Sequence, residues 1–303
     1  FKAIGSCVKY SKPGQRERRM KAVVIGIGLI GGSFARDLRE VSPGVNITGL
    51  DRNETHLKRA VDLGVIDRPA EDRDLYEADL VLLSIPVNAL VKELTPILDS
   101  IGEETLVLDV GSTKAEICSL VSDHKRRRNF LACHPIAGTE FTGPEAAISG
   151  LFKGKTNIIC EVEQTAFGLQ ERALDLFGRM GMRIRYMNPE AHDRHIAYVS
   201  HLSHISSFAL GLTVLDKEKD EKSIFAMAGS GFSSTVRLAK SSPDMWAPIF
   251  SQNAANISVA LEAYIRQLQQ FKEIIDQGEE EKSHQLMEKA NEIRRVLLGM
   301  EKG

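Results

Sequence analysis

The chain has 303 residues, of which 43% are hydrophobic and 26% charged, and its formal net charge is −2. The length leaves room for two domains, and the composition is that of an ordinary globular protein. So small a net charge argues against binding to nucleic acid or to a membrane surface, and no apolar run of about eighteen residues predicts a membrane span. Scattered cysteines without a CxxC pair predict reduced thiols in the cytoplasm, with no disulfide framework or zinc site: Cys7, Cys118, Cys133 and Cys160.

Residues 1–19 carry six basic residues and one acid. A mitochondrial-type presequence would also be basic, but this segment lacks an apolar helical face. We therefore interpret it as a flexible N-terminal extension, or as the product of an upstream start, that takes no part in the fold.

The most informative stretch spans residues 21–51. Small and β-branched residues at 22–25 predict a buried parallel strand, which leads into a glycine-rich turn and a helix. A second strand is predicted at 46–50 and ends at Asp51. This order, with an acid twenty residues after the last glycine, is the dinucleotide-binding pattern of a Rossmann domain. The predicted pyrophosphate site is the turn itself, Gly26, Ile27, Gly28, Leu29, Ile30 and Gly31.

Each glycine of that turn has a separate task. Gly26 permits the tight bend, Gly28 lets the backbone approach a pyrophosphate, and Gly31 lets the helix pack closely on the strand. Asp51 suits the two ribose hydroxyls of NAD and would repel the extra phosphate of NADP. Arg52 follows directly and is able to serve a 2′-phosphate, so the sequence favours NAD without excluding NADP.

Further strand ends are predicted to border the same crevice, because ligands of doubly wound sheets bind at the carboxyl ends of the strands. A strand at 79–84 is followed by a segment that we expect beside the cofactor, comprising Ser84, Ile85 and Pro86. A strand at 106–109 leads into Ser112 and Thr113. These two hydroxyls would either donate to nicotinamide or substrate, or only cap the helix that follows.

His134 stands at another strand end, after an apolar run that begins at residue 130. A neutral histidine there is suited to general-base chemistry, and the alternative is a histidine that only bonds to backbone. We interpret Cys133 beside it as a buried core residue. Two later strands and the helix between them are predicted at 156–160, 182–187 and 166–180. The alternation of strands and helices predicts a mixed sheet.

From residue 189 onward the pattern is helical, with no predicted strand. The helical segments are 190–215, 223–228, 235–239, 248–277 and 279–298. Apolar residues lie on more than one face of the fourth segment, at Ile257, Val259, Leu261, Ile265, Leu268 and Phe271. A small domain buries several faces of its helices most easily in a dimer. We therefore predict an NAD-binding Rossmann-type domain at 20–188 and an all-helical substrate and dimerisation domain at 189–303.

Four histidines lie close together in the first helical segment, His192, His195, His201 and His204. If one straight helix carries them, at about 100° per residue, His192 and His195 share one face. His201 and His204 then fall on roughly the opposite face. The four cannot converge on one ion, so we predict no metal site.

Three motifs complete the pattern. They are HPIAGTE at 134–140, HDR at 192–194 with SHLSH at 200–204, and GF at 231–232 with RLA at 237–239 and PDMW at 243–246. Together with the glycine-rich opening, their order resembles the prephenate dehydrogenase family, the prephenate, arogenate and cyclohexadienyl dehydrogenases of tyrosine biosynthesis. The resemblance covers residues 20–300. One departure is Ser203, where the family usually has proline.

The resemblance implies an α/β Rossmann domain followed by an all-α helical dimerisation domain that forms a homodimer. It implies that prephenate and NAD are converted to 4-hydroxyphenylpyruvate, carbon dioxide and NADH. His134 is then expected to accept the proton of the C4 hydroxyl. Arg237 is implied to bind the ring carboxylate, because a planar guanidinium holds a carboxylate with two prongs.

The resemblance also assigns residues to the rest of the pocket. His204 is implied to help bind the pyruvyl side chain, and Thr139 and Glu140 are expected at the pocket mouth. Trp246, the only tryptophan, is either a core or interface anchor or a wall of the pocket. No separate effector domain is expected, so tyrosine, if it inhibits, is expected to compete with prephenate.

Three alternatives stay open. Arogenate, with an amino group on its side chain, could replace prephenate, although a histidine near the side chain suits a keto acid better. A β-hydroxyacid dehydrogenase would share the domain plan but is expected to use a helical lysine, and the stretch 189–205 contains none. An NAD-binding redox sensor would leave His134 and Arg237 in one crevice unexplained.

Overall fold

The computed structural model describes residues 19–221 and 223–301. The extension predicted at 1–19 lies almost wholly outside the described residues, as does Cys7. Eight strands form one sheet in the described part: β1 Lys21–Ile25, β2 Asn46–Leu50, β3 Arg68–Pro69, β4 Leu80–Leu83, β5 Leu106–Asp109, β6 Phe130–Pro135, β7 Thr156–Cys160 and β8 Arg183–Tyr186.

The strand order is β3-β2-β1-β4-β5-β6-β7-β8. Neighbouring strands run parallel except β6 and β7, which are antiparallel, so the predicted mixed sheet is confirmed. The chain steps outward from β1 to β3 and then returns to place β4 on the other side of β1. This reversal opens a crevice at the carboxyl ends of β1 and β4, where ligands of such sheets bind.

Two elements escaped prediction for a clear physical reason. β3 has only two residues, one of them proline, and it pairs with the outer side of β2, so it leaves no apolar run. The helix at Asp72–Glu77 has no buried residue and is held at its start by a reciprocal capping box between Glu71 and Asp74. Hydrophobic periodicity does not reveal elements that bury so little.

The helices are, in chain order, α1 Leu29–Val41, α2 Glu54–Asp62, α3 Asp72–Glu77, α4 Val87–Ser100, α5 Ala115–Leu120, α6 Phe167–Arg179, α7 Pro189–Ile196, α8 Leu202–Asp220, α9 Ser230–Thr235, α10 Pro243–Gln252, α11 Ala254–Asp276, α12 Glu280–Ala290 and α13 Arg294–Glu301. The first six cover the two faces of the sheet. The other seven follow the last strand and form the helical part of the molecule. No helix among the described residues is long and apolar enough to cross a bilayer.

The core consists of two apolar layers, one on each face of the sheet. Leu82 and Leu108 belong to one layer, and Val81 and Val107 belong to the other. Alternate residues of β4 and β5 thus face opposite layers, and both strands are buried throughout. Truncation of such a residue, for example Leu82→Ala, would cost about 2–5 kcal/mol. The rigid strands fix the positions of the residues at their ends.

The helical part consists of more and shorter helices than predicted. The segment predicted at 190–215 is α7, a π-helical turn at Ala197–His201, and then α8. The segment predicted at 248–277 is α10 and α11, which meet at Asn253. The short segments predicted at 223–228 and 235–239 coincide mainly with 3-10 turns, at Phe225–Met227 and Arg237–Lys240, and the helix α9 at Ser230–Thr235 was not predicted.

Several helices of this part expose large apolar side chains. On α8, Leu212 and Leu215 are 61% and 51% exposed, and on α11 Val259 and Leu268 are 59% and 50% exposed. Exposure on this scale over adjoining helices is typical of a surface that another subunit covers. It agrees with the prediction that these helices form a dimer.

Candidate active site

The glycine-rich turn has the shape of a pyrophosphate cradle. Gly26 has a φ of +87°, and a Cβ there would collide with the carbonyl oxygen of Ser84. A Cβ on Gly31 would collide with the carbonyl oxygen of Gly26, whereas nothing lies within 4 Å of a Cβ on Gly28. The space in front of Gly28 is therefore open to a ligand, at the N-terminus of α1. Ile27, Leu29 and Ile30 complete the turn and the first residues of the helix.

Asp51 lies at the end of β2 beside this turn. Its Oδ2 accepts a hydrogen bond from the backbone N–H of Ile27 at 2.9 Å, and its Oδ1 accepts one from Asn53 at 2.9 Å. The carboxylate thus braces the glycine-rich turn, next to the position predicted for the cofactor. Arg52 is exposed next to it, and His56 Nδ1 is 3.9 Å from Asp51 Oδ2.

The end of β4 forms the wall below the turn. Ser84, Ile85 and Pro86 are all half-buried, and both Ser84 and Ile85 would meet a Cβ on Gly26. Pro86 is the N-cap of α4. The structure therefore brings this segment against the glycine-rich turn, at the position predicted for a cofactor contact.

His134 lies at the end of β6 and is half-buried. Its Nδ1 is 2.8 Å from Nε2 of His192, and the two rings meet edge to face. Burial lowers the pKa of His134 well below the ordinary 6.5, and the nearby charges that His192, Lys114 and His201 can carry act in the same direction. The imidazole is therefore neutral at neutral pH and able to accept a proton.

His192 in turn contacts Asp193, with its Nδ1 2.7 Å from Oδ1. The Asp193 carboxylate also accepts hydrogen bonds from the backbone N–H groups of Lys114 at 2.8 Å and Ala115 at 2.9 Å. Burial alone would raise the pKa of Asp193, but the hydrogen bonds from His192, Ala115 and Lys114 outweigh it and the pKa is lowered. No local pattern predicts this contact, because 79 residues separate Asp193 from Lys114.

The hydroxyl residues after β5 lie in the same crevice, and neither of them caps α5. The N-cap residue of this helix makes no side-chain capping hydrogen bond. Asp193 instead accepts hydrogen bonds from the N–H groups at the start of the helix. The capping alternative for Ser112 and Thr113 is therefore wrong. Thr113 is buried and its hydroxyl bonds to the side chain of Gln252, whereas Ser112 is half-buried.

Lys114 is a second residue that sequence reasoning missed. Its ammonium is fully buried and paired with the carboxylate of Asp109 at the end of β5. Asp109 also accepts hydrogen bonds from the backbone N–H groups of Gly111 and Cys133. Cys133 is buried, as predicted, and so are Cys118 and Cys160, all three as free thiols.

The prediction that His201 faces away from His192 is wrong. Both side chains are buried, and His201 Nδ1 accepts a hydrogen bond from the Asn253 amide, which also donates to the carbonyl of Asp193. The π-helical turn advances each residue by a smaller angle than an α-helix, so it rotates His201 toward the interior. Burial lowers the pKa of His201 to about 4. Within 19–221 and 223–301, no group of three or more candidate ligands could hold a metal ion.

Arg237 and Glu140 meet at the outer side of the site. Nη1 of Arg237 lies 3.0 Å from Oε2 of Glu140, and their side chains are 51% and 16% exposed. The pKa of Glu140 is lowered chiefly by its own backbone N–H, and Arg237 adds to the effect. Thr139 precedes Glu140 and accepts a hydrogen bond from the Phe141 N–H at 3.3 Å.

His204 and Trp246 form a stack, with ring centroids 3.5 Å apart and planes 25° apart. Trp246 is 7% exposed and packs with Val87 of the Rossmann part and Ile249 of its own helix. It is thus a buried anchor between the two parts of the chain and also the support of His204. Burial lowers the pKa of His204, and the positive charge of Arg237 acts in the same direction.

Comparison with known proteins decides the family. The model of the prephenate dehydrogenase nucleotide-binding domain matches residues 34–186, and that of the prephenate dehydrogenase dimerization domain matches residues 188–289. The chain belongs to the prephenate dehydrogenase family. This makes it an oxidoreductase, and the predicted fold class, a Rossmann domain followed by a helical dimerisation domain, is confirmed.

Individual relatives of this prephenate dehydrogenase family member agree. The chain is 30% identical to the cyclohexadienyl dehydrogenase of Zymomonas mobilis, over 83% of this chain and 87% of that protein. It is 30% identical to the prephenate dehydrogenase of Bacillus subtilis, over 94% and 78%. A crystal structure of the prephenate dehydrogenase of Aquifex aeolicus with hydroxyphenyl propionate and NAD+ has a TM-score of 0.81 at 31% identity, over 93% of this chain and 100% of that one.

Proposed function

We propose that this chain catalyses the oxidative decarboxylation of prephenate to 4-hydroxyphenylpyruvate with reduction of NAD, as a homodimer in tyrosine biosynthesis. The observation that carries the proposal is His134, a histidine with a lowered pKa at the carboxyl edge of a dinucleotide-binding sheet. A neutral base at that edge is what the oxidation of a hydroxyl group requires.

The cofactor site fits NAD. The space in front of Gly28 and the N-terminus of α1 suit the pyrophosphate, and Asp51 suits the ribose hydroxyls. Ile85 and Pro86, with Ser84, would border the bound cofactor. NAD supplies the hydride acceptor when it is bound. In the Aquifex aeolicus relative, NAD+ is present in the crystal structure.

The protein itself would transfer the proton of the C4 hydroxyl and bind the ring carboxylate. As a hydride leaves C4 of the ring, Nε2 of His134 accepts the proton of the C4 hydroxyl, and a carbonyl forms at C4. The bond from C1 to the carboxylate then breaks, and its electron pair enters the ring, which becomes aromatic as carbon dioxide departs. His134 returns its proton to the phenolate oxygen. We assign Ser112, rather than Thr113, to hold the C4 oxygen, because the Thr113 hydroxyl already bonds to Gln252.

The substrate carries two carboxylates, and the outer side of the site supplies the cation. Arg237 would bind the ring carboxylate with its planar fork, next to Glu140 and Thr139 at the pocket mouth. His204, held by its stack on Trp246, would contact the pyruvyl side chain. A firm hold on the departing carboxylate would slow decarboxylation, so we assign Arg237 to orientation of the ring.

The two other enzyme hypotheses have less support. Arogenate carries an ammonium on its side chain, and the Arg237 charge close to His204 disfavours a second cation there. A β-hydroxyacid dehydrogenase needs an accessible lysine. Lys114, the lysine beside His134, is fully buried and paired with Asp109, so it is unsuited to that role.

Inhibition by tyrosine would involve the same site. Tyrosine has the phenol ring and a carboxylate in common with the product, so we propose that any inhibition by tyrosine is competitive with prephenate. An inhibition that leaves the apparent KM for prephenate unchanged would contradict this.

The free, buried thiols of Cys118, Cys133 and Cys160 support a reducing compartment, the cytoplasm.

The experiment that tests the proposal compares substrates. NADH formation is measured with prephenate, arogenate and a simple 3-hydroxy acid in parallel, at equal enzyme and NAD concentrations. We expect kcat/KM to be highest with prephenate. A higher value with arogenate or with the 3-hydroxy acid would overturn the assignment.

A further inference from the structure

An unbroken chain of hydrogen bonds runs from His134 to the backbone at the start of α5. Nδ1 of His134 is 2.8 Å from Nε2 of His192, and Nδ1 of His192 is 2.7 Å from Oδ1 of Asp193. Asp193 then accepts the N–H groups of Lys114 and Ala115. His192 and Asp193 are 1% and 5% exposed, so water does not compete for these bonds.

The direction of every bond in this chain follows from its last member. Both backbone groups at the start of α5 are N–H donors, and they use both oxygens of Asp193. These bonds help to lower the pKa of Asp193 despite its burial, so the carboxylate is an ionised acceptor. His192 must then place its proton on Nδ1 to donate to Oδ1, which leaves its Nε2 as an acceptor. His134 must in turn donate from its own Nδ1. Its Nε2 is left without a proton.

We propose that His192 and Asp193 are positioning residues that fix His134 in the one tautomer whose bare Nε2 can accept the substrate proton. The inference rests on the proposed function in so far as it takes His134 to be the base. The chain of bonds also links the two parts of the molecule, because Asp193 lies on α7 and the N–H groups it binds lie on α5. The tautomer of His134 thus depends on the contact between the helical part and the sheet.

The surrounding groups leave this arrangement intact. Lys114 extends its ammonium to Asp109 and only its backbone N–H to Asp193. His201 takes the amide N–H of Asn253 on its Nδ1, and the same amide donates to the carbonyl oxygen of Asp193. None of these groups competes for the Asp193 carboxylate or for the ring nitrogens of His192.

Asp193→Ala removes the carboxylate that accepts the proton of His192. The N–H groups of Lys114 and Ala115 that remain nearby are donors, so a proton on Nδ1 of His192 has no acceptor and moves to Nε2. His134 must then accept at Nδ1 and carry its own proton on Nε2. We expect kcat with prephenate to fall on the order of 10²–10⁴-fold, as for a base held in the wrong tautomer. The KM for prephenate should change by no more than about threefold, because no substrate contact is lost.

Two variants of His192 serve as matched controls that leave Asp193 and the start of α5 untouched. Gln keeps one donor and one acceptor in the required order, whereas Leu keeps neither. We expect His192→Gln to retain kcat within about tenfold of the parent and His192→Leu to lose on the order of 10²-fold or more. Equal losses in the two variants would contradict a positioning role.

The tautomer itself is read by ¹⁵N NMR of the full chain labelled at histidine, without substrate and at neutral pH. A protonated ring nitrogen and a bare one have very different ¹⁵N shifts, and His134→Asn identifies the His134 signals. We expect a protonated Nδ1 and a bare Nε2 in the parent chain, and the reverse in Asp193→Ala. A parent spectrum with His134 protonated at Nε2, or an Asp193→Ala enzyme with the parent kcat, would overturn the inference. The spectrum needs no substrate. It therefore tests whether the chain of hydrogen bonds fixes the tautomer of His134 even if prephenate proves not to be oxidised.

Discussion

Arg237 and Glu140, 97 residues apart in the chain, form an ion pair at the outer side of the site, with Nη1 and Oε2 separated by 3.0 Å. The guanidinium proposed to bind the ring carboxylate therefore already has a carboxylate partner within the protein. Half of the Arg237 side chain is exposed, so the rest of its fork is open to a ligand. A substrate that binds here must share Arg237 with Glu140 or displace it.

Arg237→Gln removes the charge and the guanidinium fork and leaves a shorter polar side chain. Loss of a charge-assisted hydrogen bond weakens binding by roughly 1.5–3 kcal/mol, which is about 10- to 150-fold. We expect this loss in the KM for prephenate, while the KM for NAD stays unchanged. Steady-state kinetics with each substrate varied in turn measures both constants.

Glu140→Gln is the matched control for this prediction. It leaves the guanidinium in place and removes the carboxylate that competes for it, so the KM for prephenate should not rise. If Arg237→Gln instead raised the KM for NAD, or if Glu140→Gln impaired prephenate binding as strongly as Arg237→Gln, Arg237 would not be the carboxylate partner.

The pH dependence follows from the lowered pKa of His134. A base must be unprotonated to act, so activity is present above its pKa and lost as the pH falls through it. Burial moves that pKa well below 6.5, and kcat/KM reports the free enzyme. We expect the acid limb of the kcat/KM profile for prephenate to lie below pH 6.5. An acid limb centred at or above 6.5 would show that the titrating group is not His134.

Asp51 has two tasks that two variants separate. Asp51→Asn keeps an acceptor for the Ile27 N–H and removes the charge that repels a 2′-phosphate, so the preference for NAD over NADP should shrink while the turn stays braced. Asp51→Ala loses the brace as well, and the KM for NAD should rise by roughly 10- to 150-fold. Initial rates with NAD and NADP at equal concentrations measure the preference. Faster turnover of the parent enzyme with NADP would contradict the assignment of Asp51.

Much of the fold was predictable because a buried strand has a recognisable run of apolar residues in its sequence. The central strands β4 and β5 are covered on both faces, so their sequences are almost wholly apolar. The residues at the ends of the predicted strands, Asp51, Ser84 and His134, lie at the carboxyl edge because of the topology. The two-residue β3 and the largely polar α3 bury too little to leave a periodic signal.

The contacts that set the site depend on long-range packing that periodicity does not encode. Nothing near Asp193 in sequence predicts that it binds the start of α5. The π-helical turn that ends at His201 shifts the phase of the helix, which a constant 100° per residue does not include. The break between α10 and α11 at Asn253 depends on its side chain, which turns inward to Asp193 and His201.

The measurement that tests the central claim most directly is kcat of His134→Asn with prephenate at saturating NAD. Asn keeps some hydrogen bonding but cannot take up a proton, and the proton moves only in the transition state. We expect kcat to fall on the order of 10²–10⁴-fold with little change in the KM for prephenate. A variant that turns over prephenate at a rate close to that of the parent enzyme would contradict the account.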